Sequence, residues 1–331
     1  MKKAILGVFL AILVAGGIWL SANSQAVSDF WRAQNYRPSA EISGIVSRIR
    51  PTSAAQTVFY ANQPRVLASE EFNRNCSNLL EKTSVLGCYK NGSTYNDSIY
   101  IFDVQNQDLD GIKEVTAAHE LLHAIWARMD NEERAKLGEL LQAEYQRVKT
   151  DKLETTMKGY EISEPGEENN ELHSILGTEF GNLSSELEAH YAKYFQNRGE
   201  IVAMNAKYQA KFSELSEKAA SLNSELKTLE NEINSMSADY RARLENLNRA
   251  IASFNARAQS GDFNSEAAFY SERQNLVSAG NYLENYRVQI NSKVADYNSK
   301  AQELSQIASE IQQLYNSMNS KIEEVEKVDS I

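Results

Sequence analysis

Only four prolines occur in the 331 residues, at Pro38, Pro51, Pro64 and Pro165, and none lies beyond Pro165. A proline inside a helix removes a backbone hydrogen bond, and its ring collides with the preceding turn. The proline-free stretch from 166 to 331 therefore permits long unbroken helices. Its scarcity of turn residues also argues against a barrel of alternating strands. The chain reads as a mixed first half and a helical second half, mostly α overall.

From about residue 200 the apolar positions alternate spacings of four and three: Leu215, Ala219, Leu222, Leu226, Leu229, Ile233, Met236 and Tyr240. After one extra step of four to Leu244 the pattern resumes at Leu247, Ile251 and Phe254. This is a heptad seam with one irregularity, which locally changes the supercoil. Gln259-Ser-Gly-Asp262 interrupts it, and a second seam runs from Leu283 through Tyr286, Ile290, Val294 and Tyr297 to Val325. Two similar arms around a short polar turn predict an antiparallel coiled-coil helical hairpin over residues 199–331. A parallel homodimer through either arm is the alternative. Such a segment is a spacer or a docking surface, so self-association or a protein partner is expected there.

Charge narrows the classes further. The chain has 34 Lys and Arg against 45 Asp and Glu, a net charge of −11. No basic excess exists to neutralise phosphates, so no nucleic-acid partner is expected. Gly-rich phosphate loops and GxSxG elbows are absent from the sequence, which leaves nucleotide and serine-hydrolase chemistry without a foothold.

Met1-Lys2-Lys3 precedes an uncharged run from Ala4 to Leu20. At about 1.5 Å per residue this run reaches roughly 25 Å, enough for an upright span of a hydrocarbon core. Residues 1–25 are therefore expected to be a membrane anchor. The lysines would stay cytoplasmic, and the rest of the chain would stand outside the cell membrane after a single pass. A cleaved signal peptide, ending among the small residues of Ala22 to Ala26, would give a secreted protein instead. The only two cysteines, Cys76 and Cys88, lie in a turn-rich region and suit a disulfide in an oxidising compartment.

Along the first half, a short helix is expected from Ser39 to Ile49. Strands are expected at Thr57–Tyr60 and Ser98–Val104, with a further strand and turn in Gly87–Gly92. Asp110 is placed to cap a helix over about 112–129, with a charged helix after it over about 131–150. Lys158–Asn170, with Gly159, Pro165 and Gly166, reads as a loop. Helices resume at about 168–181 and 185–198, the second opening on Ser185-Glu-Leu-Glu188, which has capping-box spacing.

The helix over 112–129 carries His119-Glu120-Leu121-Leu122-His123. Residues four apart share one helix face, so both imidazoles can reach one ion while the intervening glutamate can hold a water and accept its proton. Val115, Ala118, Leu122, Ile125, Trp126 and Met129 form an apolar stripe with His119 and His123 along its edge. Such a helix can pack on a sheet while its edge histidines look into a cleft.

His119-Glu-Leu-Leu-His123 resembles the active-site helix of the zincin zinc metallopeptidases. The resemblance covers at most about residues 95–200. It implies an α+β zincin-like domain over 26–198, with a small sheet and active-site helices. It also implies Zn²⁺ held by His119 and His123, Glu120 as general base, and a peptide or protein substrate cleaved by zinc-activated water. Position 129 is Met, so the third histidine of the metzincin extension is absent. The helix expected at about 168–181 is similar instead to the gluzincin arrangement, in which a later helix supplies a glutamate as third ligand. Three of its residues could complete the site: Glu179 in the middle of an apolar face, Glu171 at its edge, and His173 toward the other edge. Asn170-Glu171 looks like the pair that opens the gluzincin third-ligand helix, although the acidic residue of that pattern is replaced by Ile175. His190, Tyr191 and Tyr194 are candidate donors to a developing oxyanion.

The expected function is a membrane-anchored, extracytoplasmic zinc metallopeptidase. The alternative is a non-catalytic cell-envelope structural or adaptor protein acting through its coiled coil, with a degenerate or structural metal site.

Overall fold

The computed structural model describes residues 24–76, 86–92 and 97–320. Within these the chain divides into two compact units. One runs up to Lys211 and resumes at Gln313, and the other is Phe212–Gln312.

The first unit opens with helices α1 (Ser24–Asn35), α2 (Ala40–Ile49) and α3 (Ser53–Ala61). Ser39 caps α2 by accepting from the Ile42 N–H, and Thr52 caps α3 by accepting from Ala55. The strand expected at Thr57–Tyr60 is thus corrected to the second half of α3. A short apolar run does not by its period distinguish strand from helix. Here the Thr52 cap and the helix-forming Ala54-Ala55-Gln56 decide it.

Strand β1 (Arg65–Leu67), helix α4 (Ser69–Cys76) and strands β2 (Gly87–Lys90) and β3 (Ser98–Phe102) come next. The sheet order is β1-β3-β2. β1 lies parallel to β3 with Val66 opposite Ile101, and β2 lies antiparallel to β3 with Gly87 opposite Ile101. Ile99, Tyr100, Ile101 and Phe102 are all buried, so the central strand is covered on both faces. A disulfide joins Cys76, at the end of α4, to Cys88 in β2.

Helix α5 (Ile112–Trp126) is the centre of the unit, packed against α2, α3, β2 and β3. Its every residue from Glu120 to Trp126 is buried. A helix covered all round is held by packing on its apolar side chains rather than by propensity. Gly111 at φ 100° takes its N-cap, where Asp110 was expected. The Asp110 carboxylate instead accepts from Arg48 and from Lys207 at 2.8 and 2.9 Å, and these two cations draw it away from the helix end.

Helices α6 (Asn131–Val148), α7 (Asp151–Ser163), α8 (Glu168–Glu179) and α9 (Ser185–Tyr191) complete the cover. α6 starts on a full capping box between Asp130 and Glu133. The loop expected from Lys158 is corrected, because α7 continues to Ser163. Gly159 weakens a helix by about 1 kcal/mol without ending it, and the break falls at Glu164-Pro165-Gly166, where Gly166 has φ 93°. At α9 the N-cap is Ser184, without a side-chain cap bond. Glu188 is instead recruited by the Leu183 N–H and by Arg198.

Helices α10 (Arg198–Ser260) and α11 (Glu266–Met318) are 63 and 53 residues long. Within the second unit they are cross-linked by Lys218–Glu303, Lys300–Glu225 at 2.8 Å, Lys293–Glu232 and Arg257–Glu272. Partner numbers rise along one helix as they fall along the other. Phe254, Phe263 and Phe269 pack together at the turn, with ring centroids 5.1 to 5.3 Å apart.

Among the described residues no helix is long and apolar enough to cross a membrane. The long helices carry charges throughout, and the expectations of a transmembrane anchor and of single-pass localisation are corrected accordingly. The apolar run that prompted them, Ala4–Leu20, lies outside the described residues.

Candidate metal centre

α5 and α8 pack against each other, and three side chains meet between them. His119 Nε2 stands 3.7 Å from one carboxylate oxygen of Glu171, and His123 Nε2 stands 3.5 Å from the other. Ligand atoms from all three lie within 4.8 Å of one another, so His119, His123 and Glu171 could hold a metal ion. The four-residue spacing of the histidines stacks them one helical turn apart, with ring centroids 4.7 Å apart.

The donor set itself fits a cation. Asn170 Nδ2 donates to Glu167 Oε2 at 3.1 Å, which turns its carboxamide oxygen toward His123 Nδ1 at 2.9 Å. His123 must then carry its proton on Nδ1, leaving the Nε2 lone pair directed at a carboxylate. Two acceptors facing each other in a buried site repel unless a positive charge stands between or beside them. Hydrogen bonding of the outer imidazole nitrogen is also the usual way a metal-binding histidine is oriented.

The electrostatics agree with that reading. Burial works to lower the His119 pKa, but Glu171, Glu120 and Glu179 outweigh it and hold the imidazole at about 9. Burial also lowers His123, with Glu171 opposing and His119 assisting. Glu171 is held down against the effect of burial by His123, by His119 and by the nearby Tyr160 hydroxyl. A proton on His119 offsets part of the Glu171 charge, which a divalent ion would do more fully.

A cavity of about 650 Å³ opens over the cluster. Glu120, 5 % exposed, lines it beside His119 and His123. Gly87 of β2 lies directly against it. A Cβ at that glycine would sit 2.6 Å from Glu120 Oε1 and 2.5 Å from Thr116 Cγ2. The disulfide partner Cys88 lines the same wall, so the Cys76 link anchors the strand that confines Glu120.

Glu179, at the end of α8, lines the cavity but stands outside the three-residue cluster. Burial raises its pKa, which favours the protonated acid. His173 also lies apart from the cluster. Its Nε2 meets His190 Nε2 at 3.0 Å, and its ring stacks on Tyr191 at 5.4 Å. Burial, then the other histidines, push it well below the ordinary imidazole range. The Tyr191 hydroxyl donates to the His173 carbonyl at 2.7 Å. Tyr191, Tyr194 and His190 are not among the cavity-lining residues, whereas Tyr160 and Tyr208 are. Tyr160 was hidden in the segment read as a loop. Asn170 carried a visible signal, its position directly before Glu171.

Compared with family models, with curated proteins and with solved structures, the chain matches none.

Proposed function

We propose that this chain is a zinc metallopeptidase of gluzincin-like type, with His119, His123 and Glu171 holding the ion and Glu120 as general base. The observation that carries the reading is the convergence of both HExxH imidazoles on one buried carboxylate, with a glutamate beside them in a cavity. Imidazole and carboxylate donors suit Zn²⁺, and three protein ligands leave the fourth position that a hydrolytic site needs. The bound ion would polarise the scissile carbonyl and acidify water. Glu120 would take the proton from that water and return it to the leaving amine. Among the described residues β2 pairs with β3 alone, and its other edge could offer backbone groups to an extended peptide. The disulfide suits an oxidising compartment.

The test is Glu120→Gln in the full chain with zinc content matched to wild type. Cleavage of a denatured protein substrate should fall at least about 100-fold. Full retention would remove Glu120 from the reaction and the reading with it.

A second reading has its own observation: the ion pairs linking α10 and α11. On that reading a coiled-coil hairpin is the working part, the protein is a structural or adaptor component, and the metal site is structural. A structural zinc site is closed by four protein ligands. Among the described residues three come together, which favours the peptidase.

A further inference from the structure

Four carboxylates line the cavity over the cluster, those of Glu120, Glu164, Glu171 and Glu179, against one Lys or Arg side chain, Lys152. Lys152 is exposed and donates to Gln209 at 3.1 Å. Glu171 and Glu120 are assigned to the metal and to proton transfer. Glu179 is half-buried and stands outside the ligand cluster, and among the described residues its carboxylate has no hydrogen bond or ion pair. Arg198, the buried guanidinium at this end of α8, is committed elsewhere. It pairs with Glu188 and donates to the Leu176 and Phe180 carbonyls at 3.3 and 2.6 Å. Those bonds hold the last turn of α8, so Glu179 is presented from a fixed backbone. A carboxylate withdrawn from water calls for a cation or a proton, and burial favours the protonated form of Glu179, as expected of an acid without an ion-pair partner.

We propose that Glu179 is a specificity-determining residue of the peptidase site, whose carboxylate receives a Lys or Arg side chain of the substrate. The inference deepens the peptidase reading and rests on it. Phe180 and Tyr208 line the same cavity and offer apolar bodies for the alkyl stem of such a side chain, whose charged head then reaches the carboxylate. Eight residues of helix separate Glu179 from Glu171 by about 12 Å, and an extended peptide advances about 3.3 Å per residue. The selected residue therefore lies within about four positions of the cleaved bond. Glu164, the other unassigned acid, is set in the turn at the C-cap of α7, before Pro165 and Gly166, rather than on a helix.

The experiment uses the zinc-loaded full chain and acetylated, amidated alanine octapeptides that carry one Lys, or its neutral analogue norleucine, at each position in turn. Cleavage gives kcat/KM and, by mass spectrometry, the bond broken. Binding of dye-labelled peptides to zinc-loaded E120Q is read by fluorescence anisotropy, so one readout does not depend on turnover. In wild type the best Lys peptide should exceed its norleucine counterpart about 10- to 100-fold, the range of a hydrogen bond to a charged group. E179Q, with zinc content matched, should bring that ratio close to unity, and E179K should turn it against Lys. A ratio near unity in wild type, a ratio that survives in E179Q, or one lost in E164Q but not in E179Q would overturn the proposal. Should E179Q not fold, E179D takes its place, and an unchanged ratio there overturns it. A chain that cleaves no peptide yet still binds the Lys peptides more tightly removes the peptidase reading and leaves the cation subsite standing.

Discussion

Asn170 offers its carboxamide oxygen to His123 Nδ1 at 2.9 Å, and the same amide is locked from behind by Glu167 at 3.1 Å. The bond fixes which nitrogen of His123 faces Glu171. Removing it in Asn170→Leu should lower metal affinity by about 10- to 100-fold, with Asn170→Asp restoring most of it. Chelator competition reads the affinity. ¹⁵N chemical shifts of the metal-free protein should show His123 protonated at Nδ1 in wild type and a tautomer mixture in Asn170→Leu.

Gly87 is where β2 touches the site. Gly87→Ala places a methyl group 2.5 Å from Thr116 Cγ2 and 2.6 Å from Glu120 Oε1, and overpacking of this kind costs about 1–3 kcal/mol. Peptide cleavage should fall more steeply than the denaturation midpoint, because the displaced atom belongs to the proposed base. Equal loss in both would make Gly87 a packing residue alone.

His190 is held at about 4, below the ordinary 6.5, by burial and then by Lys193. Between these values the unfolded chain binds the proton and the folded chain does not. The contribution is therefore fully present above about pH 6.5 and is lost as pH falls toward 4. His190→Gln should flatten that part of the stability curve, measured by urea unfolding at stepped pH. An unchanged slope would mean that His190 titrates alike in both states.

Opening the Cys76–Cys88 disulfide frees a loop closed by a sequence separation of 12. Loop entropy for such a closure is worth about 3 kcal/mol. Reduction should lower stability by roughly that amount. It should also depress cleavage beyond what stability explains, since Cys88 stands in the cavity wall.

Much of this was legible in the residues. The HExxH spacing and its apolar stripe located α5, whereas the caps expected at Asp110 and Ser185 fall one residue away, at Gly111 and Ser184. Glu171 and Glu179 both looked eligible because both lie toward the apolar side of α8. Eight residues separate them by about 12 Å along the axis, and only the packing of α8 on α5 sets which end meets the histidines. Val58-Phe59-Tyr60 looked like a strand because β-branched and aromatic residues favour strands. Burial of Phe59 in a helix satisfies the same side chain. Tyr160 had no signal of its own, since its place in the cavity wall depends on where α7 folds back.

The most direct test is metal content. Full-length protein, reconstituted with zinc and freed of excess, should carry one ion per chain. Glu171→Ala and His123→Ala should each lose it, and Glu179→Ala should keep it. Retention in Glu171→Ala with loss in Glu179→Ala would contradict the assigned centre, as would a wild-type chain that binds no zinc at all.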